Sequence, residues 1–148
     1  MSSIDIIDSE IKKALKSGEK ERLTVLRGLK SDLKYRQIDK GDELTEEDII
    51  SVLSSAAKKI RDSIEQFGAG GRTDLVEKER RGLTIVESFL PQQMSEDDLR
   101  KVIKEVIDET GADSPQKAGL VMKSLMPRIK GKADGKLANR LVMEMLAN

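Results

Sequence analysis

The chain has 148 residues, room for one ordinary domain or two small ones, and its 27 Lys+Arg balance 27 Asp+Glu. It contains no Cys and no His, which excludes disulfides, thiol nucleophiles, iron–sulfur and zinc–thiolate sites, imidazole metal ligands and every Ser-His or Cys-His pair. Any catalysis would have to run on carboxylates, Lys, Arg, hydroxyls or backbone amides.

Apolar residues recur at three- and four-residue intervals and strict alternation is nowhere sustained, so the spacing predicts an all-α protein. Ile4, Ile7, Ile11, Ala14 and Leu15 make a first helical stripe up to Gly18. Leu23, Leu26, Leu29 and Leu33 make a second, ended by Lys40-Gly41-Asp42. Thr45 before Glu46-Glu47-Asp48 reads as an N-cap with an acidic first turn, opening a third helix through Ile49, Leu53, Ala56, Ile60, Ile64 and Phe67. That helix stops at the glycines of 68–71. Thr73 is expected to cap a fourth helix through Val76, Leu83, Val86 and Leu90, with Gly82 as a weak point.

Pro91 closes this half. Ser95 before Glu96-Asp97-Asp98 caps a fifth helix carrying Leu99, Val102, Ile103 and Val106, and Gly111 ends it. Ser114-Pro115 reads as a cap and a first-turn proline for a sixth helix, which Ala118, Val121, Met122 and Leu125 carry to Pro127. A seventh runs from about Asp134 through Leu137, Leu141 and Met145. The expected architecture is an N-terminal four-helix part, residues 1–91, followed by a C-terminal three-helix bundle, residues 95–148. No apolar run approaches the ~18 residues of a membrane span, and the first residues lack a basic n-region and an apolar h-region. The expectation from these is a cytoplasmic protein with no membrane partner.

The acidic clusters 42–48 and 96–98 read as helix starts in preference to metal or acid/base sites, and neither fits a calcium loop. No metal and no cofactor is expected. The stretch from Arg128 to Arg140 is more informative, with Arg128, Lys130, Lys132, Lys136 and Arg140 against the single acid Asp134. Gly131 and Gly135 would free the backbone for a close approach, and the loop feeds a helix N-terminus, whose unpaired N–H groups favour an anion. These features make a candidate phosphate clamp, weighed against a solvated turn with ordinary surface lysines. It is not a nucleotide-binding loop: the glycine spacing is short, no Ser or Thr follows the lysine, and no strand precedes it.

A second basic region covers residues 12–40, with ten Lys/Arg against four Asp/Glu. With only three aromatics, Tyr35, Phe67 and Phe89, the chain offers no stacking platform for single-stranded bases, so phosphates of a folded RNA suit it better. The glycines of 68–71 with Arg72 could form an anion nest or a hinge, and Met122, Met126, Met143 and Met145 a docking face or core filling.

At Phe89-Leu-Pro-Gln-Gln-Met-Ser95, at Ala118-Gly-Leu-Val-Met-Lys123 and at Lys130-Gly-Lys-Ala-Asp-Gly-Lys136, the sequence resembles the YqeY family of small bacterial proteins, over essentially its whole length. The C-terminal part is similar to the tail of the B subunit of the aspartyl/glutamyl-tRNA amidotransferase, which holds the folded body of tRNA. The resemblance implies a two-part helical protein, with Lys130, Gly131, Lys132 and Ala133 as the loop that matches the tail's and Val121, Met122 and Lys123 on the preceding helix. With the basic residues around them, the candidate RNA-binding set is Lys123, Arg128, Lys130, Gly131, Lys132, Gly135, Lys136 and Arg140. The tail commonly continues Asn-Pro where this chain has Asp134-Gly135, which adds a negative charge.

Nothing in the chain supplies the ATP/Mg²⁺ site and ammonia route that glutamine-dependent amidotransfer needs. A carbon–nitrogen ligase activity would therefore come by family association alone, with no catalytic residue to carry it. The expected function is a tRNA-binding accessory protein of translation. The alternative is a helical adaptor that docks on an amidotransferase or aminoacyl-tRNA synthetase, which the neutral net charge favours. An enzyme in its own right is the third reading.

Overall fold

The computed structural model describes residues 3–148, and among them every regular element is helical. The elements are α1 (Ser3–Ser17), α2 (Lys20–Lys40), α3 (Glu46–Ala69), α4 (Thr73–Glu87), α5 (Glu96–Thr110), a single 3₁₀ turn (Pro115–Lys117), α6 (Ala118–Ile129) and α7 (Gly135–Ala147). The chain divides into two compact units, one ending at Pro91 and the other spanning Gln92–Asn148.

In the first unit α3 packs on α4 and α1 on α2, with α2 also against α3 and α4. Its core joins Ile7 of α1, Leu29 and Leu33 of α2, Ile49, Leu53 and Ala57 of α3, and Val86 of α4. The spacing of four within the α2 and α3 sets places those residues on one stripe per helix. The start of α3 carries a complete capping box: Thr45 Oγ1 accepts from the Asp48 N–H at 3.1 Å, and Asp48 accepts from the Thr45 N–H at 2.9 Å.

In the second unit α5, α6 and α7 pack against one another around Leu99, Ile103 and Val106, Val121, Leu125 and Ile129, and Ala138, Leu141, Val142 and Leu146. Full burial of each such aliphatic side chain contributes about 1.5–3 kcal/mol, so this unit has a core wholly its own. Ser95 caps α5 by accepting from the Asp98 N–H at 3.1 Å, and Gly111 ends it in the left-handed region.

Several boundaries differ from expectation. Thr73 is the first residue of α4, the cap position falls to Arg72, and no side chain caps there. Ser114 makes no cap bond either: Pro115 opens the 3₁₀ turn, and α6 starts only at Ala118. Helix α6 also continues through Pro127 to Ile129, because burying Ile129 completely adds a last core contact beyond the proline.

Candidate nucleic-acid interface

The turn between α6 and α7 is built by its backbone. Lys130 leaves the helix while its N–H still donates to the Met126 carbonyl at 3.0 Å. Gly131 then takes φ +77°, the left-handed region that costs other L-residues roughly 1–2 kcal/mol. The N–H groups of Lys132 and Ala133 both return to the Ile129 carbonyl, at 2.8 and 3.1 Å. The outer carbonyls are held as well. Gln93 Nε2 donates to the Gly131 carbonyl at 2.6 Å, and the Met94 N–H donates to the Lys132 carbonyl at 2.8 Å.

Two of the motifs that carried the family resemblance, Phe89–Ser95 and Lys130–Lys136, therefore meet through these hydrogen bonds. Sequence spacing could not show this, because Gln93 and Gly131 are 38 residues apart. Gln93 and Met94 were not among the expected site residues. The signal available was the motif itself, whose polar Gln93 stands where a helix cap would not use it.

The eight expected residues divide into three groups. Lys130 and Lys132 are exposed on either side of the buried Gly131, and Lys123 is exposed two helical turns before Lys130 on the same side of α6, about 10 Å along the axis. Among the described residues no carboxylate pairs with these three lysines. Lys136 is exposed on the first turn of α7. Arg128 and Arg140, by contrast, are engaged with acids of their own unit. Arg128 pairs with Glu109 and lies 3.9 Å from Glu105, both on α5. Arg140 lies 3.8 Å from Glu96 and 3.9 Å from Glu144, and Arg100 joins the same two carboxylates.

Gly135 is the first residue of α7 and has no positive φ, so only Gly131 uses glycine's freedom. At the start of α7 Asp134 is the N-cap, and its Oδ1 accepts from the Lys136 N–H at 3.3 Å.

Half of the ten cations of the early basic region are paired with acids, while Lys12, Lys16, Lys20, Arg27 and Lys34 are exposed. Lys30 pairs with Asp8 at 2.7 Å, Arg22 and Lys13 with Glu10 at 3.1 and 3.2 Å, and Arg36 and Lys40 with Asp48. The hydrogen bonds from Lys13 and Arg22 hold the Glu10 carboxyl below its ordinary value, and that from Arg81 does the same for Glu21. Asp48 lies far below the ordinary carboxylate range, first through Lys40 and then through the Thr45 N–H. At residues 68–72 the N–H groups of Gly70, Gly71 and Arg72 bind the Gln66, Gly68 and Phe67 carbonyls, which leaves no anion nest. Among the described residues no cluster of three acidic side chains is arranged to hold a metal, and no helix is long and apolar enough to cross a membrane.

One apolar groove stands apart from this chemistry. It lies between α2 and α3, with a volume of about 650 Å³, and its lining includes the apolar Tyr35, Ile38, Val52 and Ala56 and the charged Asp32, Arg36, Asp39 and Lys59. Tyr35 and Ile38 are 73% and 76% exposed, the largest exposures among the big apolar side chains of the described residues.

The family model described as Yqey-like protein matches residues 4–146. Among curated proteins the chain is similar to the "Altered inheritance of mitochondria protein 41, mitochondrial" of three fungi. It is 29% identical to that of Lachancea thermotolerans over 136 residues, 90% of this chain and 71% of the relative. It is 26% identical to that of Saccharomyces cerevisiae over 135 residues, 89% and 72%, and 24% identical to that of Pyrenophora tritici-repentis over 143 residues, 95% and 78%.

These relatives overturn the cytoplasmic expectation, since each is named as a mitochondrial protein. The expectation rested on a missing basic n-region and apolar h-region, which speak only to the secretory route; import leaders are amphipathic and Arg-rich instead. The relatives are also fungal, so they give no support to a bacterial source.

Proposed function

The chain belongs to the Yqey-like family, matched over residues 4–146, and from that premise we propose that it is a non-catalytic tRNA-binding accessory protein. In this reading residues 1–91 and 95–148 are separate helical domains, the second a three-helix bundle of the amidotransferase-tail kind. The bundle meets phosphates of a folded RNA through Lys130 and Lys132, with Lys123 and Lys136 beside them. The observation that supports it is a pair of exposed lysines, without a carboxylate partner among the described residues, on a turn where the carbonyls of Gly131 and Lys132 and the N–H groups of Lys130, Lys132 and Ala133 are hydrogen-bonded. Arg128 and Arg140, paired with acids, are secondary contacts at most.

The test is a titration of the full chain against a folded tRNA transcript. Replacing both lysines in Lys130→Ala/Lys132→Ala is expected to weaken binding roughly tenfold or more. It should also lower the slope of log K against log salt by about 1.4–1.8, the share of two phosphate contacts. Unchanged affinity with an intact helical signal would remove the assignment.

The adaptor reading has one observation of its own. Tyr35 and Ile38 in the α2–α3 groove put an exposed aromatic anchor among lining residues of both charges, the make-up of a protein contact. A stoichiometric amidotransferase or synthetase partner that survives nuclease treatment and is lost in Tyr35→Ala/Ile38→Ala would favour it.

A further inference from the structure

We infer that Gln93 is a positioning residue for the Lys130–Lys132 turn, fixing the direction in which Lys132 leaves the backbone; this rests on the reading of that turn as a phosphate contact. The carbonyls of Gly131 and Lys132 belong to the peptide planes immediately before and after the Lys132 Cα. Both are tethered, one by Gln93 Nε2 at 2.6 Å and the other by the Met94 N–H at 2.8 Å. The Lys132 N–H is tethered to the Ile129 carbonyl as well. Two pinned planes leave the Cα–Cβ bond of Lys132 one direction.

The two tethers differ in what they ask of the sequence. The Met94 bond is backbone to backbone, so any residue except proline at 94 supplies it. The Gln93 bond comes from a side chain, and it needs a neutral donor of that reach. Neither Gln93 nor Gly131 adds an apolar side chain to the bundle core, which closes around α5, α6 and α7 without them. The latch therefore acts on the turn and leaves the fold to the core. Its benefit to binding is preorganisation: a turn already fixed loses less freedom when phosphate arrives. Lysine stems remain flexible, so the effect is smaller than that of the lysines themselves.

The experiment uses the full chain with Gln93→Met, which keeps the length and removes the donor, and Gln93→Ala as a second variant. Amide hydrogen exchange in the absence of RNA reads the latch directly. The Lys132 and Ala133 amides are expected to exchange about tenfold faster, with those of Ile103 and Leu125 unchanged. Affinity for the folded tRNA transcript is expected to fall about fivefold, and that loss is expected to vanish in the Lys130→Ala/Lys132→Ala background.

Faster exchange throughout α5–α7 would make Gln93 a structural residue and overturn the inference, as would an unchanged turn. A fivefold loss that persists without the two lysines would overturn it too, since Gln93 would then act elsewhere. If the lysine double variant itself binds RNA normally, the functional reading fails, and the exchange data alone decide whether Gln93 holds the turn.

Discussion

Gly131 and Asp48 show how single residues carry local structure here. Gly131 is buried at φ +77°, with its neighbours' amides bound to Ile129 and its own carbonyl bound to Gln93. Gly131→Ala is expected to cost about 1–2 kcal/mol in urea unfolding, the penalty of a Cβ in the left-handed region. Asp48 joins the cap of α3 to Lys40 of α2. Its folded-state proton affinity is depressed, so its contribution is complete above the ordinary carboxylate range and lost as pH falls through that range towards the lower folded value. The stability gap between the native chain and Asp48→Asn should accordingly be flat near neutral pH and close on acidification; a gap that widens in acid would contradict the assignment. Thr45 and Ser95 were legible as caps because each stands three residues before an acid at a helix start. The Asp134 cap was not, since its carboxylate reads equally as a charge spoiling an anion site.

At the scale of elements, stripes of apolar residues gave each of the seven helices its place. The N-terminus of α6 and the passage through Pro127 were hidden, because proline's local preference for ending a helix was outweighed by the burial of Ile129. Gly82 in α4 was legible as a weak point, and its surroundings settle what a side chain would meet there. It is buried, and a Cβ placed on it would lie 3.6 Å from Val25 Cγ2, an ordinary contact. Gly82→Ala is therefore expected to stabilise the chain by about 0.4–1 kcal/mol through helix propensity and a less flexible unfolded state. A lower midpoint in thermal unfolding would mean that α4 packs more tightly than that distance implies.

Across the whole molecule, zero net charge conceals a strong local imbalance. Residues 96–113 hold seven acids against three bases, whereas the sequence of residues 114–148 holds seven bases against two acids, Asp134 and Glu144. The early basic region looks comparable in sequence, but half of its cations are paired, several with acids that are not sequence neighbours. Arg22 reaches Glu10, Lys30 reaches Asp8 and Arg81 reaches Glu21, pairings that no local pattern reveals. The same blindness applied to the pairs of Arg128 with Glu109 and Arg140 with Glu96, whose acids come from α5. What separates a binding surface from a solvated one is which cations remain unpaired, and that becomes visible only once helices are packed.

The most direct measurement titrates the purified chain against a folded tRNA and an unstructured RNA of equal length at two salt concentrations. Tighter binding to the folded RNA, weakening steeply as salt rises, is the expected result for lysines that read phosphates on a shaped surface. Equal affinity for both RNAs, or none for either, would contradict a tRNA-binding role.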